Sequence, residues 1–298
     1  MMTNKKYEES TRMPGLKDSQ DALMWFNLGL ALGRKGDHDG AIDAYRKVIA
    51  IKPDRANAWY NLGLALEWKG DHDGAIDAYR KAIAIKPDYP TAWSNLGNAL
   101  GRKGDNNGAI DAYRKAITIK PDLAVTWFNL GNALEWKGDN DGAIDAYRKA
   151  TEIQPNHASA WANLSYALSK AGDDQGSLAA ARKGMEVDSK NATCRNNCAY
   201  FLYKVNRDNK KIMKEALEIV APVITGSQNA AFLGTHACIL SALGRYEEAK
   251  QQFLASVALR AEDKMADLTW TEFEITLMAL GDEATLQKYE RYFKKHAK

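Results

Sequence analysis

The stretch GDHDGAIDAYRKAIAIKPD, residues 70–88, decides the fold because the chain writes it four times. Near-copies begin at residue 36 (GDHDGAIDAYRKVIAIKPD), residue 104 (GDNNGAIDAYRKAITIKPD) and residue 138 (GDNDGAIDAYRKATEIQPN). Trp25, Trp59, Trp93, Trp127 and Trp161 keep a fixed step of 34 residues (59−25), as do Tyr45, Tyr79, Tyr113 and Tyr147, and Pro53, Pro87, Pro121 and Pro155. Self-similarity at such a period marks one small structural unit that cannot bury its apolar face alone and stacks on its neighbours.

Within the second unit, Trp59, Leu62 and Leu66 fall at i, i+3, i+7, and Ile76, Tyr79 and Ile83 do the same. That spacing is helical. Gly70 and Asp71 interrupt the two runs and Pro87 closes the second, so each unit predicts two short helices with a tight turn between them. Asp73 is expected to cap the second helix through its carboxylate. Ala75 lets the helices approach closely. Asp77 and Lys81, at i and i+4, predict an exposed ion pair of about 0.3–0.5 kcal/mol.

These residues resemble the tetratricopeptide repeat family. The resemblance rests on W-x2-L-G at Trp25, Leu28 and Gly29, A-x3-Y at Ala41 and Tyr45, then Pro53, and it recurs at Trp59, Trp93 and Trp127. It implies an all-α, right-handed superhelical solenoid of about seven to eight helix pairs, with family units at 22–55, 56–89, 90–123, 124–157 and 158–191. The last of these departs from the pattern: Ser165 replaces the glycine, Ala181 the aromatic and Ser189 the proline. Residues 1–20 are polar and predict a flexible tail. From 192 the family letters fade, and 192–298 is expected to hold divergent units and a C-terminal cap. The segment 192–229 predicts a sixth unit whose charged stretch KVNRDNKK, 204–211, forms an extended turn that opens first. Ala237, Gly244, Ala249 and Phe253 fit the family at 230–263. Trp270, Phe273, Leu277, Gly281, Leu286, Tyr289 and Phe293 predict a final helix pair over 267–298, closed by the polar KKHAK. A separate helical module at the C-terminal end is the alternative.

Lys+Arg number 41 against 38 Asp+Glu, a formal charge of +3 that argues for neither nucleic acid nor an anionic membrane. The start, MMTNKKYEESTRMPG, lacks an apolar run and does not read as a signal peptide. No apolar run approaches the roughly 18–20 residues of a spanning helix. Three cysteines, Cys194, Cys198 and Cys238, do not build a disulfide framework, so a reducing, cytoplasmic location is expected.

Motifs for chemistry fail one by one. A calcium loop counted from Asp71 needs glycine sixth and glutamate twelfth, whereas glycine comes fourth and Ala82 is twelfth. The cysteines contain no CxxC pair, and Cys198 falls on an inward position where a buried thiol is ordinary packing. His38, His72 and His157 sit in turns, and Asn106 replaces His there in another unit. Asp43, Asp77, Asp111 and Asp145 lie a full repeat apart and cannot converge on one bond. Neither a nucleophile elbow nor a phosphate loop is present. The chain reads as non-enzymatic, with no cofactor, metal or catalytic residue.

Binding residues are expected on the first helices. By the resemblance, Trp25, Trp59, Trp93, Trp127 and Trp161 hold the family's core position. Positions 2, 5, 6, 9, 12 and 13 line the concave groove, which brings Arg34, Trp68, Arg102, Trp136 and Lys170 there, with Glu67 and Glu135 beside the tryptophans and Tyr60 and Phe128 at position 5. Trp and Arg dominate interface energetics; the alternative is that Trp68 and Trp136 merely cover the helix turn. Asn27, Asn61, Asn95, Asn129, Asn163 and Asn197 recur at the same period. An amide in mid-helix adds nothing to helix stability, but it can pair with both groups of an extended backbone. The set is similar to the asparagine ladder in the repeat arm of the O-linked N-acetylglucosamine transferase, without that enzyme's catalytic domain; bonds between repeats are the alternative. The cationic positions of the cochaperone carboxylate clamp hold Phe26, Tyr60, Ser94 and Phe128, so that mode is absent. The expected function is an adaptor that binds an extended partner segment as a monomer or weak homo-oligomer. A self-assembling scaffold is the alternative. Single-stranded nucleic acid is disfavoured by Glu67 and Glu135.

Overall fold

The computed structural model describes residues 14–224, 227–259 and 267–296. Among the described residues sixteen α-helices follow in pairs: α1 (Pro14–Arg34) with α2 (His38–Ile51), α3 (Ala56–Trp68) with α4 (His72–Ile85), α5 (Pro90–Arg102) with α6 (Asn106–Ile119), and α7 (Ala124–Lys137) with α8 (Asn140–Ile153). Then come α9 (Ala158–Lys170) with α10 (Asp174–Val187), α11 (Ala192–Asn206) with α12 (Lys210–Val220), α13 (Ala230–Ala242) with α14 (Tyr246–Ala258), and α15 (Asp267–Leu280) with α16 (Glu283–His296). They form two compact bodies, Met1–Ala146 and Tyr147–Lys298. In each body successive pairs pack second helix on next first helix, α2 on α3 and α4 on α5, then α10 on α11 and α14 on α15. This is the all-α stack of helix-turn-helix units that the period predicts.

The repeated phrase is a turn before it is a helix. Gly70 takes φ +80°, a left-handed conformation that a Cβ would strain. Asp71, not Asp73, is the cap: its Oδ1 accepts from the Gly74 N–H at 2.9 Å. The helix begins at His72, so the capping place falls two residues earlier than Asp73 (73−71). A Cβ on Gly74 would lie 2.6 Å from the Asp71 carboxylate, so this glycine makes room for the cap. Asp73 instead accepts from Lys103 Nζ of the next repeat at 2.8 Å, and Asp39 pairs with Lys69 in the same way. Asp77 pairs with Arg80 at i+3, 3.9 Å away, rather than with Lys81. These pairs are exposed and each contributes little.

The repeated tryptophans correct a second expectation. Trp59, Trp93, Trp127 and Trp161 are half-buried rather than core. Each indole N–H donates to the proline carbonyl six residues back, for example Trp59 to Pro53 at 2.8 Å and Trp93 to Pro87 at 2.9 Å. They staple each inter-repeat loop from its rim, where the ring keeps one edge wet and its N–H satisfied. The buried places go to Tyr45, Tyr79, Tyr113 and Tyr147, of which Tyr79 and Tyr147 are fully enclosed, and to small residues such as Ala75 and Ala109.

Of the segment expected as a polar tail, residues 1–13 lie outside the described residues and 14–20 are the first turns of α1. Pro14 stands at the helix start, where a missing N–H costs nothing. Lys52 Nζ donates to Ser19 Oγ at 2.8 Å and ties this end to α2.

In the second body α11 runs on to Asn206 and α12 starts at Lys210, so the extended turn predicted over 204–211 shrinks to three residues. Its charges are tethers. Lys204 Nζ reaches Asp174 at 2.6 Å, Lys210 Nζ donates to the Ala242 carbonyl, and Arg207 pairs with Glu272, which is buried. Trp270 is fully enclosed and stacks on Tyr292 at 5.0 Å, with Phe273 at 5.1 Å from Phe253. The end segment KKHAK, expected as a polar cap, falls mostly on residues 295–298, whose side chains lie outside the described residues. Cys194, Cys198 and Cys238 are free, buried thiols. Burial pushes Cys194 and Cys198 up to about 11, so they stay protonated and unreactive near neutral pH.

Candidate functional site

The asparagines sit where adjacent first helices meet, and most are used there. Asn95 Nδ2 donates to the Tyr60 hydroxyl at 3.1 Å, and Asn129 Nδ2 to Asn98 Oδ1 at 2.9 Å. In the second body Asn197 Nδ2 donates to the Ala162 carbonyl at 3.2 Å and to Ser165 Oγ at 3.1 Å, and Asn163 Nδ2 to the Tyr147 hydroxyl at 3.5 Å. Asn61 Nδ2 only back-bonds to Asn57 in its own helix at 2.8 Å, and Asn27 is exposed. The two sequence alternatives therefore divide by position. Asn95, Asn129 and Asn197 bridge repeats; Asn61 and Asn27 do not.

That division carries a stability prediction. Asn61→Ala is expected to raise stability by roughly 0.5 kcal/mol, since alanine is the better helix former and no neighbour loses a bond. Asn197→Ala is expected to lower it by about 1–3 kcal/mol, since a buried Ser165 hydroxyl loses its donor. Denaturant midpoints of the two variants should move in opposite directions.

The charged and aromatic residues alternate along the first body. Trp68 is 75% exposed and Trp136 is 82% exposed. Arg102 extends from α5 to Glu67 of α3 at 2.9 Å, and Glu67 also accepts from the Tyr79 hydroxyl at 2.8 Å. Glu67 is thus an inter-repeat acceptor, a role the sequence did not signal. Tyr60 packs on Tyr89 at 5.0 Å and on Tyr79 at 5.9 Å, and burial raises its pKa. Phe128 is half-buried on α7. In the second body Lys170 lies over the exposed Tyr166 ring at 4.5 Å.

Two cavities open on this face, both inside the first body. One, of about 230 Å³, lies between α1 and α3 and is lined by Arg34, Tyr45, Asn61 and Trp68. The other, of about 610 Å³, lies between α5 and α7 and is lined by Arg102, Tyr113, Asn129 and Trp136. Asn61 and Asn129 spend their Nδ2 groups on internal bonds, while their amide oxygens accept no hydrogen bond among the described residues. Each cavity therefore offers an aromatic ring, a guanidinium and an amide acceptor. Tyr45, Asn98 and His38 line these cavities too, although the sequence did not place them among the groove residues. Among the described residues no three His, Cys, Asp or Glu side chains converge as a metal set, and no helix is long and apolar enough to cross a membrane.

The model of the cilia and flagella-associated protein 70 C-terminal domain matches residues 54–270, and a tetratricopeptide-repeat model matches 29–67. No curated protein matches the chain. Among solved structures, MamA is similar at 27% identity and TM-score 0.54, over 58% of this chain and 94% of that one. YrrB, described as a repeat protein with an unusual peptide-binding site, is similar at 19% identity and TM-score 0.53, over 60% and 93%. A tetratricopeptide repeat protein from Parabacteroides merdae is similar at 15% identity and TM-score 0.59, over 87% and 99%. The last two share the fold. None of these singles out the transferase repeat arm that the asparagines resemble.

Proposed function

We propose that this chain, which belongs to the tetratricopeptide-repeat family by its match to the cilia and flagella-associated protein 70 C-terminal domain, is a non-enzymatic scaffold that holds an extended segment of a partner protein on its first-helix face. The observation that carries this is the exposure of Trp68 and Trp136 at the mouths of two cavities. Rings of this size left in water forfeit burial that folding would otherwise gain, and they are the residue type that anchors interfaces. The unpaired amide oxygens of Asn61 and Asn129 add acceptors for a partner's backbone N–H groups, as the asparagine ladder in the repeat arm of the O-linked N-acetylglucosamine transferase, which this set resembles, would imply. YrrB's peptide-binding site lends the same reading support from a shared fold. The free thiols suit a reducing cytoplasm.

Presenting a library of random dodecapeptides to the intact chain tests it. The chain is expected to enrich a set of peptides that the Trp68→Ala/Trp136→Ala variant does not hold. The variant should unfold within about 1 kcal/mol of the parent, because both rings are exposed. Equal capture by parent and variant would remove these rings from the site.

A second reading, end-to-end self-association, has its own observation. Leu28 is 41% exposed on α1, while Leu62 at the same repeat position is 5% exposed, and Leu23 and Met24 beside it are exposed too. A second copy could cover that face. Light scattering across a concentration series, with Leu28→Ser as control, separates the readings.

A further inference from the structure

The two cavities are copies of one another. Each residue lining the smaller one has its counterpart 68 residues on in the larger (102−34): Arg34 and Arg102, Tyr45 and Tyr113, Asn61 and Asn129, Trp68 and Trp136. The repeat that matters for binding is thus a double unit. In its first half the last turn of the first helix reads Gly-Arg, at Gly33-Arg34 and Gly101-Arg102; in its second half it reads Glu-Trp, at Glu67-Trp68 and Glu135-Trp136. Arg and Trp come together across the joint inside each double unit, and Glu67 meets Arg102 across the joint between them.

The copies have diverged in wall and in charge. Leu30 and Leu64 line the first cavity where Asn98 and Asn132 line the second. In the second, the Arg102 guanidinium is held by Glu67 at 2.9 Å, and the Tyr113 hydroxyl donates to Asn98 at 2.8 Å. Arg34 has no acidic partner and the Tyr45 hydroxyl no hydrogen bond among the described residues. His38 lies flat against Trp68, 5.8 Å away and 3° from parallel, and walls one side of the first cavity. The first cavity therefore presents a cation and a hydroxyl donor with nothing to bind. In the second, the cation is already balanced by Glu67 and the hydroxyl is committed to Asn98.

We propose that the cavity between α1 and α3 receives a carboxylate side chain of the partner segment, and that its copy between α5 and α7 receives an uncharged one. This rests on the groove reading above and gives it a specificity. A carboxylate entering the first cavity gains charge-assisted bonds from Arg34 and Tyr45. The same carboxylate in the second would meet the Glu67 charge, whose side chain is only 12% exposed and so is weakly screened. Neighbouring helices pack about 8–10 Å apart, which sets the two cavities on the order of 20 Å apart along the face. An extended chain covers that in about six residues at roughly 3.3 Å each. The preferred partner carries an acidic residue and, about six positions away, a neutral one.

The test uses the full chain and a library of dodecapeptides with blocked ends, so that side chains supply the only carboxylates. Peptides held by the parent are expected to share one acidic position. Replacing that residue by Gln in a selected peptide should weaken binding about tenfold, and the preference should vanish in Arg34→Gln and persist in Arg102→Gln. Glu67→Gln keeps an acceptor for Tyr79 and releases Arg102, so it should create a second acidic position in the selected peptides. Selected peptides without an acidic position, or a preference that survives Arg34→Gln, would overturn the inference while leaving the groove reading intact. A parent chain that enriches no peptide at all removes both.

Discussion

Gly63→Ala is expected to destabilise the chain by about 1–3 kcal/mol, although alanine is the better helix former by roughly 1 kcal/mol. The added Cβ would lie 2.6 and 2.7 Å from Cε1 and Cδ1 of Tyr79. That ring is fully buried, and its hydroxyl is fixed to Glu67 at 2.8 Å, so it has nowhere to retreat. Burial, with the Glu67 charge, pushes the Tyr79 hydroxyl far up, so it stays a donor at any working pH. Tyr79→Ala should itself cost about 3–5 kcal/mol. In that background the sign of Gly63→Ala reverses: the space is open, and only the helix preference of up to roughly 1 kcal/mol remains. The chain has already made this exchange once. Ser165 and Ala181 stand where the earlier units have glycine and tyrosine, and both are fully buried. A double-mutant cycle from denaturant midpoints reads the coupling directly. Additive effects would show that glycine and ring do not compete for one volume.

The turns were legible in the sequence because turn chemistry is local. Gly70, Asp71 and Pro87 act within a few residues of themselves, so the fold class followed from their spacing. The tryptophans were misplaced because a repeat position says which neighbour a side chain meets and not how much of it stays wet. Trp59 does pack at the joint, yet its indole N–H needs the Pro53 carbonyl, and that holds it at the rim. The asparagines were ambiguous for a related reason. A period of 34 makes Asn61 and Asn129 look equivalent, but their bonding depends on residue 30 or 98 across the joint, and one of these is leucine and the other asparagine. The alternation of Arg34, Trp68, Arg102 and Trp136 was visible as letters; that Arg and Trp share a cavity only every second joint is a fact of packing. In the charged segment 204–211, composition alone suggested an extended turn where three residues suffice, because its partners lie 30 or more residues away in sequence.

That segment supplies the other large effect. Arg207→Ala is expected to cost about 3–5 kcal/mol, because it leaves a buried carboxylate without its half-exposed ion partner. Glu272 is 1% exposed and sits on α15 between the fully enclosed Trp270 and Phe273. Arg207 is its ion partner, reaching in from the turn between α11 and α12. Without the guanidinium a carboxylate would remain among aromatic rings with no opposite charge. Burial foremost, with Cys238 and the Glu272 charge beside it, already holds the Tyr203 hydroxyl above its usual range, a sign of how poorly this region tolerates negative charge. Removing the charge as well should recover most of the loss, so Arg207→Ala/Glu272→Gln is expected to be more stable than Arg207→Ala alone. Hydrogen exchange tests the same tether from another side. In the parent, amides at 204–211 should be protected comparably to those of 56–123, since Lys204, Arg207 and Lys210 are each fastened to a neighbouring helix. In Arg207→Ala, exchange should rise together in α11, α12 and α15, because one ion pair joins residues that lie 65 apart in sequence (272−207). A variant that melts like the parent, with exchange confined to the turn, would mean that Glu272 finds its charge balance elsewhere and that this turn is surface alone.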